Sequence, residues 1–358
     1  MPPSSSMVKP RPPSTSTSTN PNPAPAPPKA VNPKQQALLS KIRRHLQHEP
    51  VVRGGVADPQ DFKSIKEYWS SRRNKVVESF VPRGAPRRPP PAQSHMLSNS
   101  AQSFIRKLVQ IQYDMDQADI CLTSIGPDTF VVDEFTGTPL ISCAAFKDVA
   151  PMTSPEREVD ANMSSVADIV DFDIIGGDNS MPLEVSDGLL PMMRTEGYDM
   201  LYVILNHPSL VPIENRMDLN LRLYQQLFSV VQRMSKSKWE EVLRRLIFPS
   251  NWHTQVKANR FLLKIYGKTH YTRRTRSRDN RFKYVQHWTV LRFNRNSSEH
   301  GLDWAVEQLQ QEFTRTELAD MLYAIFPLLL HSLMRALHKV GRLYELKIQT
   351  LFVYRDAT

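Results

Sequence analysis

Cysteine is nearly absent from this chain: Cys121 and Cys143 are the two it has. Two thiols pair once at most, so they supply no disulfide framework, and such sparse usage fits a reducing compartment. The N-terminal MPPSSSMVKPRPP has no apolar run of the kind a secretory signal carries. Long hydrophobic stretches are lacking as well. The most apolar one, MLYAIFPLLL at 321–330, holds Pro327 and is followed by His331. It falls well short of the roughly 20 residues a bilayer span requires. It reads as a buried core helix, so the expectation is a soluble, intracellular protein that does not enter a membrane.

The signatures of catalysis are missing too. There is no glycine-rich phosphate loop, no H-E-x-x-H and no nucleophile elbow. His45 and His48 sit three apart, but no cysteine or second histidine pair lies near enough in sequence to close a zinc site. Cys143 has no evident base, and His207, His253, His287 and His331 are scattered, as core or surface histidines are. We therefore expect no enzyme activity, no metal and no other cofactor.

Proline and charge are what the chain has in quantity. Of its 358 residues 28 are proline against 12 glycine, and the prolines cluster early. Residues 1–33, rich in Pro, Ser, Thr and Ala, bury too little apolar area to offset chain entropy and are expected to be a disordered tail with polyproline character. Charge alternates in blocks. Residues 1–95 carry 16 basic and 5 acidic side chains, residues 96–192 carry 4 and 16, and residues 193–358 carry 26 and 15, giving the net +10 of the chain. A basic arm, an acidic middle and a basic C-terminal half favour polyanionic partners, with the acidic middle placed to compete for the same surface.

The expected organisation is α+β. A basic arm over 34–94 holds two candidate helices (34–48 and 58–80) and a Pro-rich linker. In the second, Phe62, Ile65, Trp69, Val76 and Phe80 form an apolar stripe that suits docking on a partner or on the domain's own core. The first part of the folded domain spans 95–146. It opens with a helix over 99–115 that gathers Phe104, Leu108, Ile111 and Met115, followed by a hairpin or meander over 121–146. Residues 147–190 lack sustained periodicity and read as an acidic mobile insertion. Within it Ile169, Val170, Phe172, Ile174 and Ile175 alternate with Asp168, Asp171 and Asp173. That pattern suits a strand added to a partner's sheet or docked on the chain's own. Residues 191–358 form the main α+β domain. Strands are expected at 198–205, 259–271, 281–294 and 344–354. Helices are expected at 218–234 with Asp218 as N-cap, after a Ser237/Glu240 capping box, and from Thr314 to Val340 after a Thr314/Glu317 capping box, with a kink at Pro327.

The most pointed feature is YGKTHYTRRTRSRDNRFKYVQHW at 266–288. Lys268, Arg273, Arg274, Arg276, Arg278, Arg281 and Lys283 face a single acid, Asp279. Read as a β-hairpin, it carries an arginine tip that repels itself unless an anion occupies it, and guanidinium groups bind phosphate oxygens in bidentate fashion. Tyr266, Tyr271 and Tyr284 are candidates for stacking bases, although alternation places the rings as well in a sheet core. The function expected is that of a non-enzymatic nucleic-acid-binding protein, nuclear rather than cytoplasmic, gripping phosphates of DNA or RNA with this hairpin and the basic arm. An interaction adaptor using the Trp69 stripe and the 166–178 segment, and a viral nucleocapsid-like or capsid-associated protein, stand as alternatives.

Overall fold

The computed structural model describes residues 62–85, 94–142, 144–177, 181–271, 284–309 and 314–354. The fold is α+β, largely helical with small antiparallel sheets. The tail of residues 1–33 and the helix expected at 34–48 lie outside the described residues.

Where a stripe had been expected over 58–80, the chain forms β1 (Phe62–Ser64), α1 (Ile65–Ser70), a 3-10 turn (Arg73–Lys75) and β2 (Val77–Phe80). The helix stays short although it starts well: Ser64 and Glu67 make a reciprocal capping box. Strand β1 then pairs with β5 (Phe130–Asp133), which pairs with β6 (Thr138–Ile141), and β2 pairs with β3 (Ser94–Leu97), all antiparallel. Of the hairpin or meander expected over 121–146, the chain forms a hairpin at 130–141 with β1 added at its edge. Asp133 Oδ1 accepts from Phe135 N at 2.9 Å, and Gly137 takes φ +61° to close the turn.

Helix α2 (Asn99–Gln117) follows its N-cap Ser98 and buries Phe104, Leu108, Ile111 and Met115, as periodicity indicated. Strand β4 (Ile120–Leu122) pairs with β7 (Val149–Pro151). The acidic segment beyond is no loose insertion. It forms α3 (Pro155–Asp168), continued by π-helical turns over Ile169–Ile175. Pro155 at the first turn and Glu156 and Glu158 near the helix N-terminus favour this start. Val159, Met163, Val166, Val170 and Ile174 are buried at spacings of three and four. The acids between them hide that stripe in the composition.

After further π-helical turns (Val185–Leu189) come α4 (Leu190–Thr195), α5 (Gly197–Leu205) and α6 (Ile213–Gln225). Helix α5 replaces a predicted strand. Its run of Met200, Leu201, Val203, Ile204 and Leu205 is buried all round, and a continuous apolar run carries no period to separate helix from strand. Asp218 lies inside α6, whose N-cap is Pro212, and pairs with Arg315 instead of capping. Helix α6 continues through π-helical turns over Gln226–Val231 to Met234. Helix α7 (Lys236–Arg244) is capped by Ser235, not Ser237.

The largest correction concerns the hairpin. Residues 252–258 form α8 (Trp252–Ala258), and the two expected strands are the helices α9 (Arg260–Tyr271) and α10 (Val285–Leu309), which pack on each other. In α9, Phe261, Leu262 and Ile265 are buried while Arg260 and Lys264 are exposed, a helical alternation. The many aromatic and β-branched residues suggested strands, and packing overrode that propensity. At the end, α11 (Arg315–Ile325) starts with the predicted Thr314/Glu317 box. The expected kink at Pro327 is a full break: α12 (Leu329–Lys339) leaves at 78°. No single helix among the described residues is long and apolar enough to cross a membrane. The predicted strand at 344–354 is a 3-10 turn (Ile348–Leu351). Its backbone carbonyls are taken by α6 side chains instead of a neighbouring strand. Arg222 donates to Lys347 O at 2.6 Å, and Asn215 donates to Leu351 O at 2.8 Å.

Candidate functional site

Two regions have site character: the basic connection between α9 and α10, and a polar centre buried among α6, α11 and α12. The first descends from the sequence reading. Arg273, Arg274, Arg276, Arg278, Arg281 and Lys283 lie outside the described residues. Lys268 is half-buried near the end of α9, and Tyr271 is that helix's last residue. The other two rings belong to the core. Tyr266 packs near Trp252 and Phe293, with its hydroxyl 2.9 Å from His253 Nδ1. Tyr284 is buried edge-on to His287. These two rings pack in or against a helical core, not a sheet.

The structure adds basic residues that sequence reasoning passed over. Arg260, Lys264 and Lys268 follow one another at i, i+4 and i+8 along α9, and Arg260, Lys264 and the nearby Lys257 are exposed. Their spacing of four is the signal of one helix face, although the surrounding rings and β-branched residues favour a strand. Over residues 242–298 the chain carries 14 Lys or Arg and one acid, Asp279.

The residues expected to dock a partner are placed differently. Trp69 is 2% exposed, edge-on to Phe104 at 5.3 Å. Ile169, Val170, Ile174 and Ile175 are buried against α1 and α3, and Phe62 is half-buried in β1. Side chains spent on the chain's own core are not presented to another molecule in this fold. Phe172 alone of this set is exposed.

The second region was not singled out from sequence, since its members lie far apart and follow no pattern. Glu184 and Arg216, both buried, form an ion pair at 2.9 Å. Arg216 Nε donates to Val211 O at 3.2 Å, and its guanidinium lies 4.7 Å from the Tyr323 ring centre. Burial outweighs the facing guanidinium and pushes the Glu184 carboxyl up to about 7. Burial also raises Asp320, to about 6, against the attraction of the same guanidinium. Beside them His207 and His331 are hydrogen-bonded to each other, and burial depresses both, His331 to about 4. Gly188 covers the pair so closely that a Cβ there would meet both rings at 3.2 Å. Elsewhere, burial pushes the Cys121 thiol up to about 11, which leaves it unreactive at neutral pH.

No protein-family model matches this sequence, and no curated protein matches it.

Proposed function

We propose that the protein binds nucleic acid without acting on it chemically, gripping phosphates with the α9–α10 helical hairpin and its arginine-rich connection. The observation that carries this is the charge of 242–298, 14 basic residues to one acid, on a chain whose 96–192 stretch is strongly acidic. Exposed Arg260 and Lys264 extend the basic character along α9 toward the connection. Phosphate is the anion that such guanidinium density suits, through paired N–H donors and long-range attraction. Tyr266 and Tyr284 are committed to packing, so the mode is phosphate positioning with little base reading from them. The basic arm, when tethered to this surface, adds further non-specific attraction.

Polarisation titrations of the full chain with single- and double-stranded DNA and RNA, over a range of salt, test the reading. Log affinity is expected to fall linearly with log salt. Replacing Arg273, Arg274, Arg276 and Arg278 together by Ala is expected to flatten that slope by about 3 to 4, near one released counterion per lost phosphate contact. Lys264→Glu is expected to weaken binding from the described part of the same surface. Unchanged affinity and slope in both variants overturn the assignment.

A further inference from the structure

We propose that a tyrosine-lined groove between α2 and the closing segment 344–354 is a docking site for a proline-rich peptide, and that its occupant is the chain's own residues 23–29, PAPAPPK. The groove shares no residue with the basic hairpin, and the proposal does not depend on the nucleic-acid reading.

Several elements bring the rings together. Tyr202 of α5 and Tyr344 have ring centres 4.4 Å apart, and His338 of α12 flanks Tyr344 at 5.3 Å. His338 Nε2 donates to Asp199 O at 2.8 Å, which ties α12 to α5 at this point. Tyr113 of α2 joins them. Burial raises its phenol, Tyr202, Asp116 and Asp114 add to the effect, and Tyr113 in turn bears on Tyr344. Arg106 stands two turns before Tyr113 on the same face of α2, and its guanidinium lies 4.0 Å from the Phe352 ring centre. The closing segment therefore follows α2 from Tyr113 back to Arg106. Tyr344 is 58% exposed, and Tyr198, one turn before Tyr202 on α5, is 42% exposed.

The chemistry of the groove selects a polyproline ligand. Such a segment carries carbonyls without internal partners and packs its pyrrolidine rings on aromatic faces. Tyrosine offers a face and a hydroxyl together. The Tyr202 hydroxyl accepts from Gln349 Nε2 at 3.1 Å, which leaves its own proton to donate. The other modes of peptide docking fit less well. Addition of a strand needs open backbone groups, and Lys347 O and Leu351 O already accept from Arg222 and Asn215. A partner helix seeks a row of aliphatic side chains, and these rings end in hydroxyls.

Charge, spacing and chain path name the occupant. Residues 113–119, YDMDQAD, hold three acids and no Lys or Arg, whereas residues 1–33 hold Lys9, Arg11 and Lys29 and no acid. Pro25 and Pro28 are one polyproline turn apart, on one side of such a helix, and Lys29 follows at once to meet the acids of α2. Pro10 and Pro13 have the same spacing but stand farther from the fold. The prolines at 86–91 belong to a connection tied at both ends, by Gly84 to Arg260 and by Ser94 to β2. The N-terminal segment joins the fold beside α2: β1 leads into α1, whose Tyr68 and Trp69 pack on Phe104. Phe104 is about 14 Å along the helix axis from Tyr113. The 33 residues from Lys29 to Asp61 can span up to about 110 Å, so reach is no constraint. Tethering gives the segment an effective concentration on the order of 1 mM, enough to fill a site of modest affinity.

Fluorescence polarisation of the full chain with a labelled peptide of residues 21–32 tests the proposal. Pro23→Gly, Pro25→Gly, Pro27→Gly and Pro28→Gly together empty the groove and leave its walls unchanged. The peptide is expected to bind this variant saturably, and at least fivefold more tightly than it binds the native chain, where the tethered copy competes. Adding Tyr344→Ala is expected to weaken that binding at least tenfold, and adding Asp116→Lys severalfold, with circular dichroism confirming that both variants fold. A peptide with glycine at the four proline positions is expected not to bind. No binding to the emptied variant, equal binding of the glycine peptide, or binding unchanged by Tyr344→Ala overturns the site. Equal binding to the native and emptied chains overturns the chain's own tail as the occupant and shows a groove open to another protein's proline-rich segment. The fourfold arginine variant is expected to match the native chain in this assay, so failure of the nucleic-acid reading leaves the result readable.

Discussion

His207 Nε2 lies 2.8 Å from His331 Nδ1, and the direction of that hydrogen bond is set by a third residue. The backbone N–H of Ser209 points at His207 Nδ1 at 3.2 Å, and an N–H only donates, so Nδ1 is an acceptor. His207 therefore carries its proton on Nε2 and donates it to His331, whose own proton sits on Nε2. A second proton on His207 would meet the Ser209 N–H. One on His331 Nδ1 would meet the His207 N–H. The pair is built to stay neutral, and burial enforces the same state.

This sets up an opposed pH dependence. The histidines are depressed in the fold, so their contribution is present above 6.5 and is lost as pH falls toward about 4, the value for His331. Glu184 and Asp320 are raised, to about 7 and about 6, from 4.5 and 3.8. Their contribution is fully present below those lower values and is lost as pH rises through the upper ones. Between pH 4.5 and 6 the two sets cancel, and the native chain is expected to show a shallow stability profile. Glu184→Gln removes one opposing proton, so stability should then rise with pH more steeply, by up to about 1.4 kcal/mol per pH unit. Asp320→Asn should act in the same direction by less, because Asp320 is only half-buried. Urea midpoints across this interval measure both slopes, and a slope unmoved in both variants refutes the cancellation.

Trp69 and Phe172 were expected to serve one purpose and should behave oppositely. Trp69 fills the space between α1 and α2 with Tyr68 and Phe104 around it. Trp69→Ala is expected to cost about 3–5 kcal/mol, as large aromatic truncations in cores do. Phe172 is 60% exposed at the end of the acidic helix. Phe172→Ala is expected to change stability by no more than about 0.5 kcal/mol. Denaturant unfolding of the two variants separates a packed anchor from a surface ring, and equal costs contradict the placement.

These contrasts show which signals the residues carried. Local ones were legible: the Phe104, Leu108, Ile111 and Met115 face, the Thr314/Glu317 box, the Pro327 break and the turn at Gly137. Segments whose composition belied their period were not. The acids among Val159, Met163 and Val166 suggested a loose loop, and the rings and β-branched residues of 281–294 suggested a strand, although both periods were there to be counted. The arginine cluster was legible as charge, but its scaffold was mistaken. The polar centre was not legible at all. His207 and His331 are 124 residues apart, and what makes Glu184 and Arg216 unusual is burial, which no local pattern announces.

Gly84 ties the basic arm's last described turn to the start of α9. Its carbonyl accepts from Arg260 N at 3.2 Å, and its φ of +78° suits glycine. A Cβ there would come within 2.4 Å of Phe261 Cδ2 and 2.9 Å of Asn259 Oδ1. Phe261 is fully buried and cannot give way. Gly84→Ala is expected to destabilise by at least about 2 kcal/mol, the left-handed backbone penalty plus the clash. Thermal melts alongside Gly341→Ala isolate the clash. Gly341 has φ +72° with nothing within 4 Å of its Cβ position, so its cost should be the smaller.

Thr314 opens the helix that carries Ala319, Asp320 and Tyr323 to the buried centre. Its hydroxyl accepts from Glu317 N at 3.2 Å, and Glu317 returns the bond by accepting from Thr314 N at 2.8 Å. Glu317 also holds Arg83 at 2.9 and 3.0 Å, so the cap and the turn bearing Gly84 share one carboxylate. Thr314→Ala removes one acceptor for the helix N-terminus and is expected to cost about 1 kcal/mol, while Thr314→Ser keeps the acceptor and should cost a few tenths. Combining Thr314→Ala with Arg83→Ala should cost more or less than the sum of the two, since both act through Glu317. Strict additivity in a double-mutant cycle would show that the carboxylate's two roles are independent.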